Sequence, residues 1–133
     1  MSYLEHVLAK TKNFVDSKSK AERKEYGQFF TVGTGAQFMS SMFDIDLNKE
    51  SLNILDAGAG TGILTVALVD HLLSIGYKGE IKVTCYENDT KVLPVLSDNL
   101  DYVSNNVPNF KYQIIVDNFI TSEPFGGFFK GDR

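Results

Sequence analysis

Apolar residues recur at helical spacing at Tyr3, Leu4, Val7, Leu8, Phe14 and Val15, which predicts a short amphipathic helix over 3–15. Asp16 to Glu25 is almost wholly polar and predicts a loop or a frayed helical turn. Tyr26-Gly-Gln-Phe-Phe-Thr31 predicts an extended, aromatic-rich piece, and Thr34 can cap a helix with Phe38, Met39, Met42 and Phe43 on one face. After a polar connection over 44–51, three apolar runs predict strands at 52–57, 81–86 and 111–116. Two helical patterns separate them. The first covers 61–75, with Leu64, Ala67, Leu68, His71 and Leu72 along a stripe and Gly76 placed to end it. The second has Thr90 as its cap, Pro94 in its first turn, and Val92, Leu96, Leu100 and Val103 on one face. Helices followed by β-α-β-α-β predict an α/β fold with a doubly wound parallel sheet.

The turn from the first strand into its helix is Asp56-Ala-Gly-Ala-Gly-Thr-Gly62. Such a turn lets a ligand approach the backbone closely and aims helix N-terminal amides at it. Gly58, Gly60 and Gly62 form Gly-x-Gly-x-Gly, whereas the dinucleotide fingerprint needs glycine where Ile63 stands. The Gly-Lys-Ser/Thr of a phosphate-binding P-loop is also missing. Asp56, two residues before the first glycine, suits a cationic or hydroxyl-bearing ligand and would repel a pyrophosphate. A purely structural turn is the plainer alternative.

Successive strand ends of a parallel sheet converge on its ligand. Glu87, with Asn88 and Asp89, follows the second strand, where an acid can accept hydrogen bonds from both ribose hydroxyls or simply serve the next helix. Asp117-Asn118-Phe119 follows the third, offering an acceptor for an adenine amino group and a ring to pack on it. His71 reads as packing rather than as a base, and no Ser-His-Asp order or Gly-x-Ser-x-Gly elbow can be drawn.

The 133 residues suffice for one small domain with a core. The lone Cys85 supports neither a disulfide framework nor a zinc site, so no metal and a reducing, cytoplasmic setting are expected, with Cys85 a small core residue. The run Ile63–Ile75 is broken by Asp70 and His71 and is too short to cross a bilayer, so no membrane role is expected. The net charge of −4 argues against the whole chain being a strong nucleic-acid binder. Six of the thirteen basic residues nevertheless fall within 1–24, beside three acids. That stretch reads either as a solvated linker or as a segment near DNA phosphate.

The Asp-x-Gly-x-Gly-x-Gly loop resembles the S-adenosylmethionine loop of class I methyltransferases. With Lys24-Glu-Tyr-Gly-Gln-Phe-Phe-Thr31, Ala36-Gln-Phe-Met39 and Tyr86-Glu-Asn-Asp89, residues 22–120 resemble the start of gamma-type adenine-N6 DNA methyltransferases of restriction–modification systems. The resemblance implies a Rossmann-like sheet, here truncated to about three strands and preceded by N-terminal helices. It divides the chain into a helical segment with a cofactor-closing motif (1–43) and the first half of the methyltransferase domain (44–133). It implies that Gly27, Gln28, Phe29, Phe30 and Thr31 close over the methionine end of S-adenosyl-L-methionine. Asp56, Ala57, Gly58, Gly60, Thr61 and Gly62 would form its loop, and Glu87 with Asn88 would hold the ribose. Either Asp117 or Asn118 would meet the adenine amino group, with Phe119 packing on the ring. Asn118 stands where the family usually has the acid before phenylalanine, and Val32 where a proline commonly follows the threonine.

The family's Asn/Asp-Pro-Pro-Tyr/Phe motif, which orients the target amine and stacks the flipped base, is absent from these residues. The expectation is therefore a catalytically inactive N-terminal fragment whose parent acts on double-stranded DNA. The first strand's unpaired edge is expected to promote self-association. The alternatives are a methyltransferase for another substrate and a non-catalytic binding module of the same fold.

Overall fold

The computed structural model describes residues 2–29 and 46–117. The expected helix over 34–43 lies outside them. The elements run α1 (Tyr3–Asp16), α2 (Lys20–Phe29), β1 (Ser51–Asp56), α3 (Ile63–Ser74), β2 (Glu80–Tyr86), α4 (Leu93–Asn106) and β3 (Phe110–Ile115). The sheet is entirely parallel in the order β1-β2-β3, as expected for the first half of an α/β fold.

Strand register sorts the side chains by face. Leu52, Ile81 and Phe110 align across the strands, as do Ile54, Val83 and Tyr112. These residues belong to the core or pack against it, together with residues of α1, α3 and α4. The opposite face aligns Asn53, Lys82 and Lys111, all exposed, with Glu80 bridging Lys82 at 3.1 Å and Lys111 at 3.3 Å. Among the described residues one sheet face is therefore buried, and the other begins polar and carries Leu55, Tyr86 and Ile115 toward the strand ends. This explains why the strands alternate in polarity, where a parallel sheet covered on both faces reads as continuous apolar runs.

α3 is enclosed more fully than a single stripe implied. Ile63, Thr65, Val66, Ala67, Leu68, Val69 and Leu72 are all buried, whereas Leu64 and His71 are only partly so. The reason is that α3 carries α1 against it and shares one buried core with strand and α4 residues. Its end is a Schellman turn: Gly76 takes φ +83°, its N–H donates to Leu73 O, and Tyr77 N–H donates to Leu72 O at 3.0 Å.

Two local expectations need correction. Residues 26–29 are helical rather than extended, because Ser19 and Glu22 form a capping box that starts α2. The Glu22 N–H donates to Ser19 Oγ, while the Ser19 N–H and hydroxyl donate to Glu22 Oε1. The resulting helix carries through Gly27 despite the ~1 kcal/mol that an interior glycine costs. Thr90 does not cap α4. The Asp89 carbonyl instead accepts from Val92 and Leu93 N–H, its side chain accepts from Lys91 N–H, and the helix begins at Leu93 with Pro94 in its first turn.

Candidate cofactor site

The glycine loop leaves β1 at Asp56 and enters α3 at Ile63. Ala57 and Gly58 are exposed, while Ala59, Thr61 and Gly62 are buried. Gly60 and Gly62 take φ +57° and +91°, a left-handed geometry that disfavours other residues. A Cβ on Gly62 would meet Leu96 Cδ1 at 3.2 Å, whereas one on Gly58 would meet nothing within 4 Å. The glycines thus divide the work: Gly62 fits the turn onto α4, and Gly58 leaves the loop's outer side open.

Glu87 joins this loop to the end of β2. Its Oε1 accepts the Gly60 N–H at 2.7 Å and its Oε2 accepts the Asp89 N–H at 3.0 Å. The Ala59 N–H donates to Tyr86 O at 3.1 Å, and the Glu87 N–H donates to Ile115 O at 3.1 Å, so all three strand ends meet here. Asp56 is half-buried and its Oδ2 accepts the Thr65 hydroxyl at 2.7 Å, a partner the sequence reading missed. Asp56 is aligned with Cys85, whose thiol burial pushes up to about 12, with the Asp56 and Glu87 carboxylates adding to the rise. Cys85 is therefore a protonated core residue and no nucleophile.

Of the other expected site residues, Asn88 and Asp117 are exposed beside these strand ends. Thr61 is turned inward: its side chain is 1% exposed and lies 2.7 Å from the Thr11 hydroxyl of α1. Gly27, Gln28 and Phe29 occupy the last turn of α2. Phe30, Thr31, Asn118 and Phe119 lie outside the described residues. Lys91 Nζ, from the loop after Glu87, reaches Glu22 Oε2 of α2 at 3.3 Å and so ties the helix bearing Gly27–Phe29 to the Glu87 loop. Ser-x-x-Glu at Ser19–Glu22 was the sequence signal for that helix start. Thr11 and Asn99 also belong to the site's support. Their signal was a polar residue set in an apolar face, since Val7 and Phe14 flank Thr11 and Leu96, Leu100 and Val103 flank Asn99.

Chemically, the arrangement presents two carboxylates at adjoining strand ends, an open backbone at Gly58 and a helix N-terminus with no side-chain cap at Gly62. Acceptors beside an accessible loop fit a ligand carrying hydroxyls and positive charge. No helix among the described residues is long and apolar enough to cross a membrane.

No family model matches the chain. It is 37% identical over 102 residues, 74% of its length, to the type II methyltransferase M.BsuBI of Bacillus subtilis. It is 38% identical over 65 residues, 49% of its length, to the type II methyltransferase M.PstI of Providencia stuartii. These matches cover 19% and 12% of the two relatives, so the chain spans less than a fifth of either. With its parallel sheet, glycine loop and strand-end acids, the chain corresponds to a fragment of a type II methyltransferase of the restriction–modification kind.

Proposed function

We propose that this chain is the S-adenosyl-L-methionine-binding part of a DNA adenine-N6 methyltransferase. The observation that carries the reading is the hydrogen bond from Gly60 N–H to Glu87 Oε1, which builds the glycine loop and the strand-end acid as one unit. An ionised carboxylate offers about four lone-pair sites. One on each Glu87 oxygen receives a backbone N–H, leaving one on each to accept the two ribose hydroxyls. Asp56 adds negative charge beside the loop, where the ligand's cationic methionine end would be favoured. Asp117 and the neighbouring Asn118 and Phe119 supply the adenine side of the site.

The bound cofactor would supply an electrophilic methyl group on a sulfonium, so the protein's remaining task is to bind and position the reactants. The adenine and duplex-DNA assignments rest on the Gly27-Gln-Phe-Phe-Thr31 segment and on the similarity to type II methyltransferases. The Asn/Asp-Pro-Pro-Tyr/Phe motif is not among the 133 residues, so this chain alone binds cofactor and does not methylate DNA. Thermal unfolding with added S-adenosylmethionine tests the reading. The cofactor raises the melting temperature of the wild-type chain, and Glu87→Ala abolishes the rise. A folded wild-type chain whose melting temperature ignores the cofactor contradicts it.

A further inference from the structure

We infer that α1 and α4 hold the glycine loop in its working shape through a buried hydrogen-bonded clamp, making Thr11 and Asn99 positioning residues for the cofactor. This rests on the reading of the loop as a cofactor site.

Thr11 is 6% exposed and Asn99 fully buried. The Thr11 hydroxyl donates to Val7 O at 2.8 Å. Its single proton is thereby used, so in the 2.7 Å contact between the two hydroxyls Thr61 must donate and Thr11 accept. From the opposite helix, Asn99 Nδ2 donates to Thr61 O at 2.8 Å. Thr61, between Gly60 and Gly62, is thus gripped at its side chain by α1 and at its carbonyl by α4. The contacts span 50 and 38 residues, so they report tertiary design rather than local turn chemistry. α1 is itself fixed to α3, because Asp70 Oδ2 accepts the Leu4 N–H at 2.8 Å.

Asn99 carries the argument from contact to purpose. Its Oδ1 is buried and has no hydrogen-bond partner among the described residues. Reversing the amide would aim that oxygen at the Thr61 carbonyl, so the orientation is fixed by the bond it makes. An unpaired buried acceptor opposes folding. With Leu96, Leu100 and Val103 on the same face, an apolar residue would remove that unpaired acceptor but leave the Thr61 carbonyl without its Asn99 donor, so the two effects on stability oppose each other. What asparagine adds is the donor that sets Thr61.

The test measures stability, S-adenosylmethionine affinity and amide hydrogen exchange over residues 58–62 on the full chain, in wild type, Asn99→Leu, Thr11→Val and Thr11→Ser. We expect Asn99→Leu to fold with a melting temperature within a few degrees of wild type while binding cofactor at least tenfold more weakly. Thr11→Val weakens binding similarly, Thr11→Ser restores it, and exchange in the loop rises in the first two variants only. Unchanged affinity and unchanged loop exchange in folded Asn99→Leu and Thr11→Val would overturn the clamp. Wild type that binds no S-adenosylmethionine overturns the cofactor reading instead, while loop exchange, which needs no ligand, still decides whether the clamp exists.

Discussion

Replacing two glycines of one loop separates shape from access. Gly62 sits at φ +91°, a conformation that costs a residue bearing a Cβ about 1–2 kcal/mol. The new methyl would also lie 3.2 Å from Leu96 Cδ1 and 3.6 Å from Leu100 Cδ2, inside a packed region where crowding costs about 1–3 kcal/mol. Alanine recovers about 0.4–1 kcal/mol by restricting the unfolded chain. The net loss for Gly62→Ala is about 3 kcal/mol, or a fall of roughly 9–15 °C in melting temperature for a domain of this size. Gly58→Ala adds a methyl with nothing within 4 Å and no left-handed φ, so its stability changes by less than about 0.5 kcal/mol. Urea unfolding followed by circular dichroism measures both. In calorimetry Gly58→Ala then weakens S-adenosylmethionine binding, because it narrows the open side of the loop without disturbing the fold. Equal destabilisation by the two substitutions, or a neutral Gly62→Ala, would refute the division of roles.

Other outcomes follow from the buried ionisable groups and the sheet edge. With Cys85 at about 12, its thiolate fraction at pH 8 is near ~10⁻⁴, against roughly 0.2 for a free thiol, so iodoacetamide labels the folded chain about a thousandfold more slowly than the urea-unfolded one. Equal rates would show the thiol to be accessible. Asp70 is raised above its ordinary 3.8, chiefly by burial, so the native state binds that proton more readily than the unfolded state. Wild-type stability relative to Asp70→Asn should therefore fall as pH rises through and just above 3.8, and a difference that grows over this window would contradict the assignment. Among the described residues, the β1 edge away from β2 is unpaired and Leu55 is 39% exposed. Light scattering should show association that increases with protein concentration, and a strictly monomeric species at millimolar concentration would refute it.

The parallel sheet was legible because each strand is a short stretch rich in apolar residues, closed by polar or glycine-rich turns and separated from the next by a helical pattern. All six observed strand boundaries fall within one residue of expectation. The face formed by Val92, Leu96, Leu100 and Val103 was equally plain, since helical spacing and burial agree there. Propensity misled where local hydrogen bonds decided the outcome. The polar run before Tyr26 hid a helix because its start depends on Ser19 and Glu22 bonding each other, not on an apolar stripe. Thr90 was a sound cap by type, but the Asp89 carbonyl and carboxylate already satisfy the amides beyond it. The positions of Asp56 and Glu87 at adjoining strand ends were readable from the sequence. Thr11 and Asn99 showed in the sequence only as polar residues on apolar faces, and their partners, like that of Thr65, were not readable because these contacts cross the folded chain, the closest in sequence nine residues apart.

Glycine spacing and a strand-end acid are held here to select S-adenosylmethionine over a dinucleotide. The direct test is calorimetric titration of the folded wild-type chain with S-adenosylmethionine and, in parallel, with NAD⁺. Saturable one-to-one binding of S-adenosylmethionine and none of NAD⁺ is the predicted result. Saturable binding of NAD⁺, or no binding of S-adenosylmethionine by the folded chain, would contradict it.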